Sequence, residues 1–316
     1  MPSEQPNHPA RKWAITAAKA VVAALVVAFV AGSVVDAARQ LASQRVRPSI
    51  AWLLLAGGLY VVGLLPMAWF WQRALAALSQ PSRWRDLLPA YFLGHLGKYV
   101  PGKALVVVLR TAAVRRTGGD SAPIAASVFV ETLTMMAVGG VVASLLVAWL
   151  RPVGAGPWMG PLAAGLAVVA AAPTLPPVMR LLLRRFAKAE PNAFAASLTW
   201  RLLGAGWLAA GVTWLGLGAS VWAVVRSLSP ELAFTSETLL AALLAACLPV
   251  VAGFLSLLPG GLVVRDGLMF TLLRAAPGVD EPTALAATVL ARLVWIASEG
   301  AACGMLMLPG VRRRDG

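Results

Sequence analysis

Charged side chains are scarce in this sequence: 13% of its 316 residues are Asp, Glu, Lys or Arg, 59% are hydrophobic, and the mean hydropathy is +0.77. Soluble domains carry about a quarter charged residues, so that class is excluded. Cysteine and histidine are scarcer still, with two of each. Cys247 and Cys303 both fall inside apolar runs, where a thiol packs as a small hydrophobe. His8 lies in the polar N-terminal stretch, which leaves His95 as the one histidine among apolar segments. No Cys-x-x-Cys, His-Glu-x-x-His or phosphate-loop pattern occurs, so zinc and nucleotide chemistry have no ligand set and no cofactor is expected. Acidic residues are also few, 13 against 27 basic ones, for a net charge of +14. Such an excess on a soluble face would point to nucleic acid. Here the cations flank or interrupt apolar runs, which points to anionic membrane lipid and away from nucleic acid.

Apolar runs long enough to cross a hydrocarbon core of about 30 Å recur along the whole chain. Periodicity and breaker residues place spans near 14–36, 50–72, 122–150, 157–183, 202–226, 237–258 and 283–308. The expectation is an all-α, polytopic helical membrane protein with about seven to eight spans in a single domain. That domain covers 13–310, between a cytoplasmic tail at 1–12 and a basic cytoplasmic tail at 311–316. The run after "MPSEQPNHPARKW" is longer than a signal-peptide core and reads as a retained first span.

Two segments do not fit as spans. Residues 86–114 are broken by Pro101-Gly102 into halves that reach only about 20 Å each. Residues 262–276 are equally short and follow "LPGG", Leu258 to Gly261. Short pieces interrupted by Pro and Gly are candidates for re-entrant helices. Lys and Arg collect on the cytoplasmic side. Arg312 to Arg314, the group Arg180 to Arg201, Arg115 and Arg116, and Arg73, Arg83 and Arg85 then all lie inside, although Arg39, Arg45 and Arg47 run against the pattern. Segment 86–114 therefore starts and ends on the cytoplasmic side, as a hairpin, and both termini are inside. Residues 237–276 are placed either as two crossings or as a hairpin entering from outside. The second option gives opposed Pro-Gly hairpins, as in inverted-repeat transporters, although the two halves share no clear sequence identity. Trp13, Trp52, Trp69, Trp71, Trp84, Trp149, Trp158 and Trp200 lie near span ends and read as an interfacial belt, while Trp207, Trp214 and Trp222 read as packing or lipid-facing residues.

Charges kept inside the membrane segments are costly, and such residues mark pathways or partners. They form two groups of mixed sign: Lys98, Lys103, Arg110 and Glu131, then Arg265, Asp266, Arg292 and Glu299. A half-helix that begins at mid-membrane presents unpaired N–H groups to an anion. Lys103 follows Pro101-Gly102, and Arg265 follows Pro259, Gly260 and Gly261, so each break adds a full charge to that dipole. Lys98, Lys103, Arg110, Arg265 and Arg292 are the candidate headgroup ligands, with Glu131, Asp266 and Glu299 as counter-ions or amine contacts. Each has a plainer reading as well: Lys98 and Lys103 reach the interface, Arg110 anchors the topology, Arg265 pairs with Asp266, and His95 is a packing residue. Arg292 and Glu299 share a helix face about 10 Å apart, a gap for a headgroup or for Arg265 or Asp266.

"YFLGHLGKYVPGKALVVVLRTAAV", the glutamate of "SVFVETL" and "LLPGGLVVRDGLMFTLL" together resemble the transmembrane region of lysylphosphatidylglycerol synthases, found across a broad family of flippase-like membrane proteins. On that resemblance Lys98, Pro101, Gly102, Lys103, Arg110 and Glu131 match the first motif and Pro259, Gly260, Gly261, Arg265, Asp266 and Gly267 the second. Val263 stands where the family has glycine, Asp266 where it has glutamate, and the proline usual after the arginine of the last span is missing beyond Arg292. The resemblance implies binding and translocation of an anionic phospholipid or polyprenyl-phosphate lipid in the cytoplasmic membrane. It implies no aminoacyl transfer, because the synthase domain would follow this region. Two other readings stand beside it. One is a non-transporting partner of a membrane synthase or glycosyltransferase, or a homo-oligomer. The other is a membrane-embedded transferase using Asp266, Glu131 or Glu299 as base.

Overall fold

A computed structural model describes residues 32, 47–81, 83–99, 104–150, 156–186, 197–256 and 262–308. The expected first span at 14–36, both tails, Lys103 and the breaks Pro101, Gly102, Pro259, Gly260 and Gly261 lie outside the described residues. Helices account for nearly everything else, and no strand occurs among the described residues. They are α1 (Ile50–Ala77), α2 (Trp84–Leu96) ending in a 3-10 turn (Gly97–Tyr99), α3 (Ala104–Arg115), α4 (Ser121–Leu150), α5 (Met159–Ala171), α6 (Pro176–Phe186), α7 (Trp200–Leu228), α8 (Ser236–Leu255), α9 (Leu262–Arg274) and α10 (Glu281–Met307).

Five of these, α1, α4, α7, α8 and α10, are long and apolar enough to cross a membrane. The expected span at 157–183 is not continuous. It bends by 58° at Leu175, where Pro173, Pro176 and Pro177 remove successive backbone donors, and only as a bent pair does it become the sixth crossing. Helices α2, α3 and α9 have 12 or 13 residues and extend about 20 Å, too short to cross.

The packing obeys an internal two-fold rule. Helices α1 to α4 correspond in order to α7 to α10, and each contact has its counterpart. α2 packs on α3 as α8 does on α9, and α3 packs on α4 as α9 does on α10. α10 lies against the first arm of the first hairpin, α2, while α4 lies against the first arm of the second, α8. The central pair α1 and α7 runs antiparallel: the Ser49 N–H donates to the Ser227 carbonyl at 2.8 Å, Ser220 Oγ to the Ala56 carbonyl at 2.8 Å, and Gly206 sits on the Phe70 ring. The second half is therefore inverted relative to the first.

Local chemistry repeats too. Gly118 (φ 95°) and Gly278 (φ 74°) turn the chain out of α3 and α9, and each stands two residues before an aspartate that begins the next long helix, Asp120 and Asp280. Exposed and buried positions follow the same order along 121–133 and 281–293. Hydrogen bonds from Thr283, including its backbone N–H at 2.9 Å, cap α10 and hold the Asp280 carboxyl below its ordinary range. The base of the first hairpin is closed by the Asp120 N–H on Gln80 Oε1 at 2.8 Å, and that of the second by Ser229 and Thr283 at 3.5 Å. Each hairpin thus leaves and returns at one end of the bundle.

Gly63 and Gly216 let α1 and α7 touch backbone to backbone. A Cβ at Gly216 would lie 2.7 Å from Gly63 Cα. Gly216→Leu is expected to cost about 1–3 kcal/mol through overpacking, read as a lower melting temperature of the purified protein; an unchanged value would mean the crossing has slack. Trp71, read from its position as an interfacial residue, is fully buried, its Nε1 donating to Ser127 Oγ at 2.9 Å; Trp149, Trp158 and Trp200 are exposed at helix ends as expected. Trp214 is buried with Nε1 donating to the Met135 carbonyl at 2.9 Å, while Cys247 and Cys303 are buried and free.

Candidate functional site

The membrane charges do not stay in the two groups their order along the chain suggests. They meet where the first hairpin packs on α10 and α4. Glu299, about two turns from the end of α10, is fully buried. Its Oε1 accepts from Lys98 Nζ in the 3-10 turn and from Tyr60 Oη on α1, and His95 Nδ1 is 3.6 Å away. Lys98 Nζ also donates to Tyr60 Oη at 3.1 Å and lies 5.0 Å from the centroid of the Tyr99 ring. Lys98 therefore does not reach outward to the interface. Its side chain is about a third exposed, but its head is bonded inward.

Arg265 enters from α9. It is only 8% exposed, and its guanidinium stands 4.8 Å over the Trp295 ring, which stacks on Tyr60 at 4.8 Å and 16°. Nε and Nη2 of Arg265 have no hydrogen-bond partner among the described residues. Asp266, beside it in sequence, does not pair with it. Arg292 Nη1 donates to Asp266 Oδ2 at 2.9 Å, and this pair keeps 18% and 28% exposure. Successive helix positions point about 100° apart, so Asp266 takes the partner across α10 while Arg265 faces the aromatic cluster. The gap between Arg292 and Glu299 is filled on the Arg292 side by Asp266.

The third pair belongs to the first half alone. Arg110 is almost fully buried, Nη1 donates to Glu131 Oε2 at 2.7 Å, and the guanidinium lies 4.2 Å from the Tyr91 ring and 4.9 Å from that of Trp71. A Cβ on Gly94 would strike the Arg110 stem at 2.6 Å, so that glycine lets the side chain lie across α2. Glu131 also accepts from Thr132 Oγ1 at 3.2 Å and from Tyr91 Oη at 3.4 Å. Arg110 is thus an internal ion-pair residue, too enclosed to anchor the topology at the surface. The second half also ties its short helix to its long one by an ion pair, at other positions and with the signs reversed: the short helix supplies the cation and the long helix the acid in Arg110–Glu131, the opposite in Asp266–Arg292. The Tyr91 and His95 rings, 4.8 Å apart, connect the two halves of the site.

The tyrosines and Trp295 were not singled out in the sequence. A signal was present: the chain has three tyrosines, Tyr60, Tyr91 and Tyr99, and all three line this cluster. No metal-binding group of three or more His, Cys, Asp or Glu occurs among the described residues. The arrangement offers a buried guanidinium with open donors, beside a carboxylate already bonded to an ammonium and a phenol. It suits a monodentate or bidentate oxyanion, with Trp295 and Tyr60 as an apolar wall.

No curated protein matches the chain. A family model described as the lysylphosphatidylglycerol synthase TM region matches residues 16–297, a stretch that holds both hairpins and every site residue except Glu299. The matched model is a transmembrane region only. With its apolar helices and most of its length inside that match, this chain is a multi-pass membrane protein that belongs to the family of the lysylphosphatidylglycerol synthase transmembrane region, a membrane region linked to lipid handling.

Proposed function

We propose that the protein binds an anionic lipid, of phospholipid or polyprenyl-phosphate type, and carries it between leaflets of the cytoplasmic membrane. The observation that carries this reading is Arg265: a buried guanidinium, open at Nε and Nη2, on a short helix that follows a Pro-Gly-Gly break. A buried unpaired cation costs several kcal/mol unless a ligand answers it. A lipid phosphate does so while its tails remain in the bilayer. Lys98 and Glu299 stand beside it as headgroup contacts, and Arg292 is a further candidate ligand at the second hairpin. Glu131 and Asp266 hold Arg110 and Arg292 in place.

The inverted halves support rocking of one hairpin unit against the other about the α1–α7 crossing, which would open the site alternately. Arg73, Arg83, Arg85, Arg115 and Arg116 gather at the base of the first hairpin, and Glu231, Glu237, Asp280 and Glu281 at that of the second. On the positive-inside rule the first base is cytoplasmic, and both termini follow it. The family match over residues 16–297 supports a lipid-handling role for this region.

Reconstitution into vesicles with fluorescent anionic lipid tests the reading. Wild type is expected to move the lipid faster than protein-free vesicles do, and Arg265→Ala to reduce that rate about tenfold to a hundredfold, the value of a charged hydrogen-bonded contact. Equal rates with and without protein would end the translocation reading.

A further inference from the structure

The charges of the site come within one unit of neutrality. Arg110 is matched by Glu131 and Arg292 by Asp266. Glu299 is bonded to Lys98 from the first hairpin, while Arg265 from the second stands over the ring of Trp295, one turn before Glu299 on α10, with Nε and Nη2 unbonded. The other titratable groups around it are Tyr60 on α1, Tyr99 in the 3-10 turn and His95 on α2, all three counted neutral, with Arg292 on its own helix already paired. Among the described residues one positive charge, that of Arg265, is left over.

We propose that this single surplus charge selects the lipid: the headgroup carries one net negative charge, as a phosphodiester does, and it crosses without a co-transported proton or cation, so that transport is electrogenic. The proposal rests on the lipid reading above. A phosphodiester oxygen on Arg265 brings the site to neutrality while Glu299 stays ionised on Lys98, and no group has to gain or lose a proton. A phosphomonoester brings a second negative charge into the same low-dielectric space and needs a proton or cation to follow it. A zwitterionic headgroup leaves the surplus where it was. The loaded site is then neutral and the empty one positive, and each lipid moved carries one negative charge across. Its equilibrium leaflet ratio follows the membrane potential, by about 50-fold per 100 mV.

The test uses the full chain in vesicles with tail-labelled phosphatidylglycerol, phosphatidic acid or phosphatidylcholine. A potassium gradient with valinomycin sets the potential, at about pH 8, where a monoester phosphate (second pKa about 6) is doubly charged. Phosphatidylglycerol is expected to accumulate in the leaflet on the positive side by about 50-fold at 100 mV, phosphatidic acid to move more slowly, and phosphatidylcholine to ignore the potential. A phosphatidylglycerol distribution indifferent to potential, lumenal acidification in step with its movement, or phosphatidic acid moved as fast would each overturn the proposal. If no lipid moves, the translocation reading falls and charge selection is read from binding. Native mass spectrometry of the purified protein should then retain phosphatidylglycerol over the other two, and equal retention removes the proposal. Arg265→Gln is expected to erase the preference over phosphatidylcholine, and Glu299→Gln, which adds one positive charge, to move it toward phosphatidic acid. An unchanged order in both variants contradicts the charge count.

Discussion

Replacing Glu131 by leucine is expected to destabilise the protein by about 3–5 kcal/mol, because it leaves the Arg110 guanidinium buried with no counter-charge. The site offers Arg110 no way out. Its stem lies across Gly94, its guanidinium packs against both the Tyr91 and the Trp71 ring, and it is almost fully buried. The cation–π contacts with those rings contribute about 0.5–2 kcal/mol and do not replace a carboxylate at 2.7 Å. The double substitution Arg110→Met with Glu131→Leu removes both charges and keeps the volume, so it should recover most of the loss. Thermal unfolding of wild type, both single variants and the double variant forms the cycle. Single variants that each cost under about 1 kcal/mol would show that the pair is not what holds α3 to α4.

How this differs from what can be read in the chain is instructive. The all-helical class, the five long spans and both short, broken segments are legible, because twenty-residue apolar runs and Pro-Gly breaks are local properties. The bend at Leu175 is in principle legible from "APTLPP", but hydropathy carries straight through it. The site is legible as a set of residues and not as a set of partners. Order along the chain groups Glu299 with Arg265 and Arg292, yet its bonded cation is Lys98, from the other half. That pairing depends on α10 lying against α2, a consequence of the inverted repeat. The repeat is in turn nearly invisible as sequence identity, because a lipid-facing or core-facing position in a membrane helix accepts many apolar residues. What the halves share is the turn glycines Gly118 and Gly278, the aspartates that follow them, and the order of buried positions.

The inversion also explains why the two hairpins are not interchangeable. In the first, the ion pair between short and long helix is enclosed, with Arg110 and Glu131 both about 3% exposed, whereas Asp266 and Arg292 in the second retain 28% and 18%. Enclosure makes the first pair a structural tie, and partial exposure leaves the second free to break when its hairpin shifts. Arg265, one residue before Asp266, moves with that hairpin. A displacement that parts Asp266 from Arg292 would also lift Arg265 off Trp295, so in the function proposed above headgroup binding would be joined to the second hairpin's position.

Glu299→Leu is expected to be the most damaging change in the molecule after loss of Glu131, at about 3–5 kcal/mol, and its effect should differ in kind. Two cations lie on this side of the cluster, Lys98 bonded to Glu299 and Arg265 against the neighbouring Trp295, and they are not equally trapped. Lys98 is a third exposed and can turn its ammonium outward when the carboxylate is gone, whereas Arg265 is enclosed against Trp295. Adding Lys98→Met to Glu299→Leu should therefore restore little stability, while adding Arg265→Met should restore more. Tyr60→Phe removes a hydroxyl that donates to Glu299 and accepts from Lys98, and is expected to cost about 1–3 kcal/mol. Melting temperatures of wild type and these four variants in one detergent provide the comparison. A larger rescue by Lys98→Met than by Arg265→Met would mean that Glu299 serves the bonded ammonium alone, and that the guanidinium is stabilised by the aromatic wall without it.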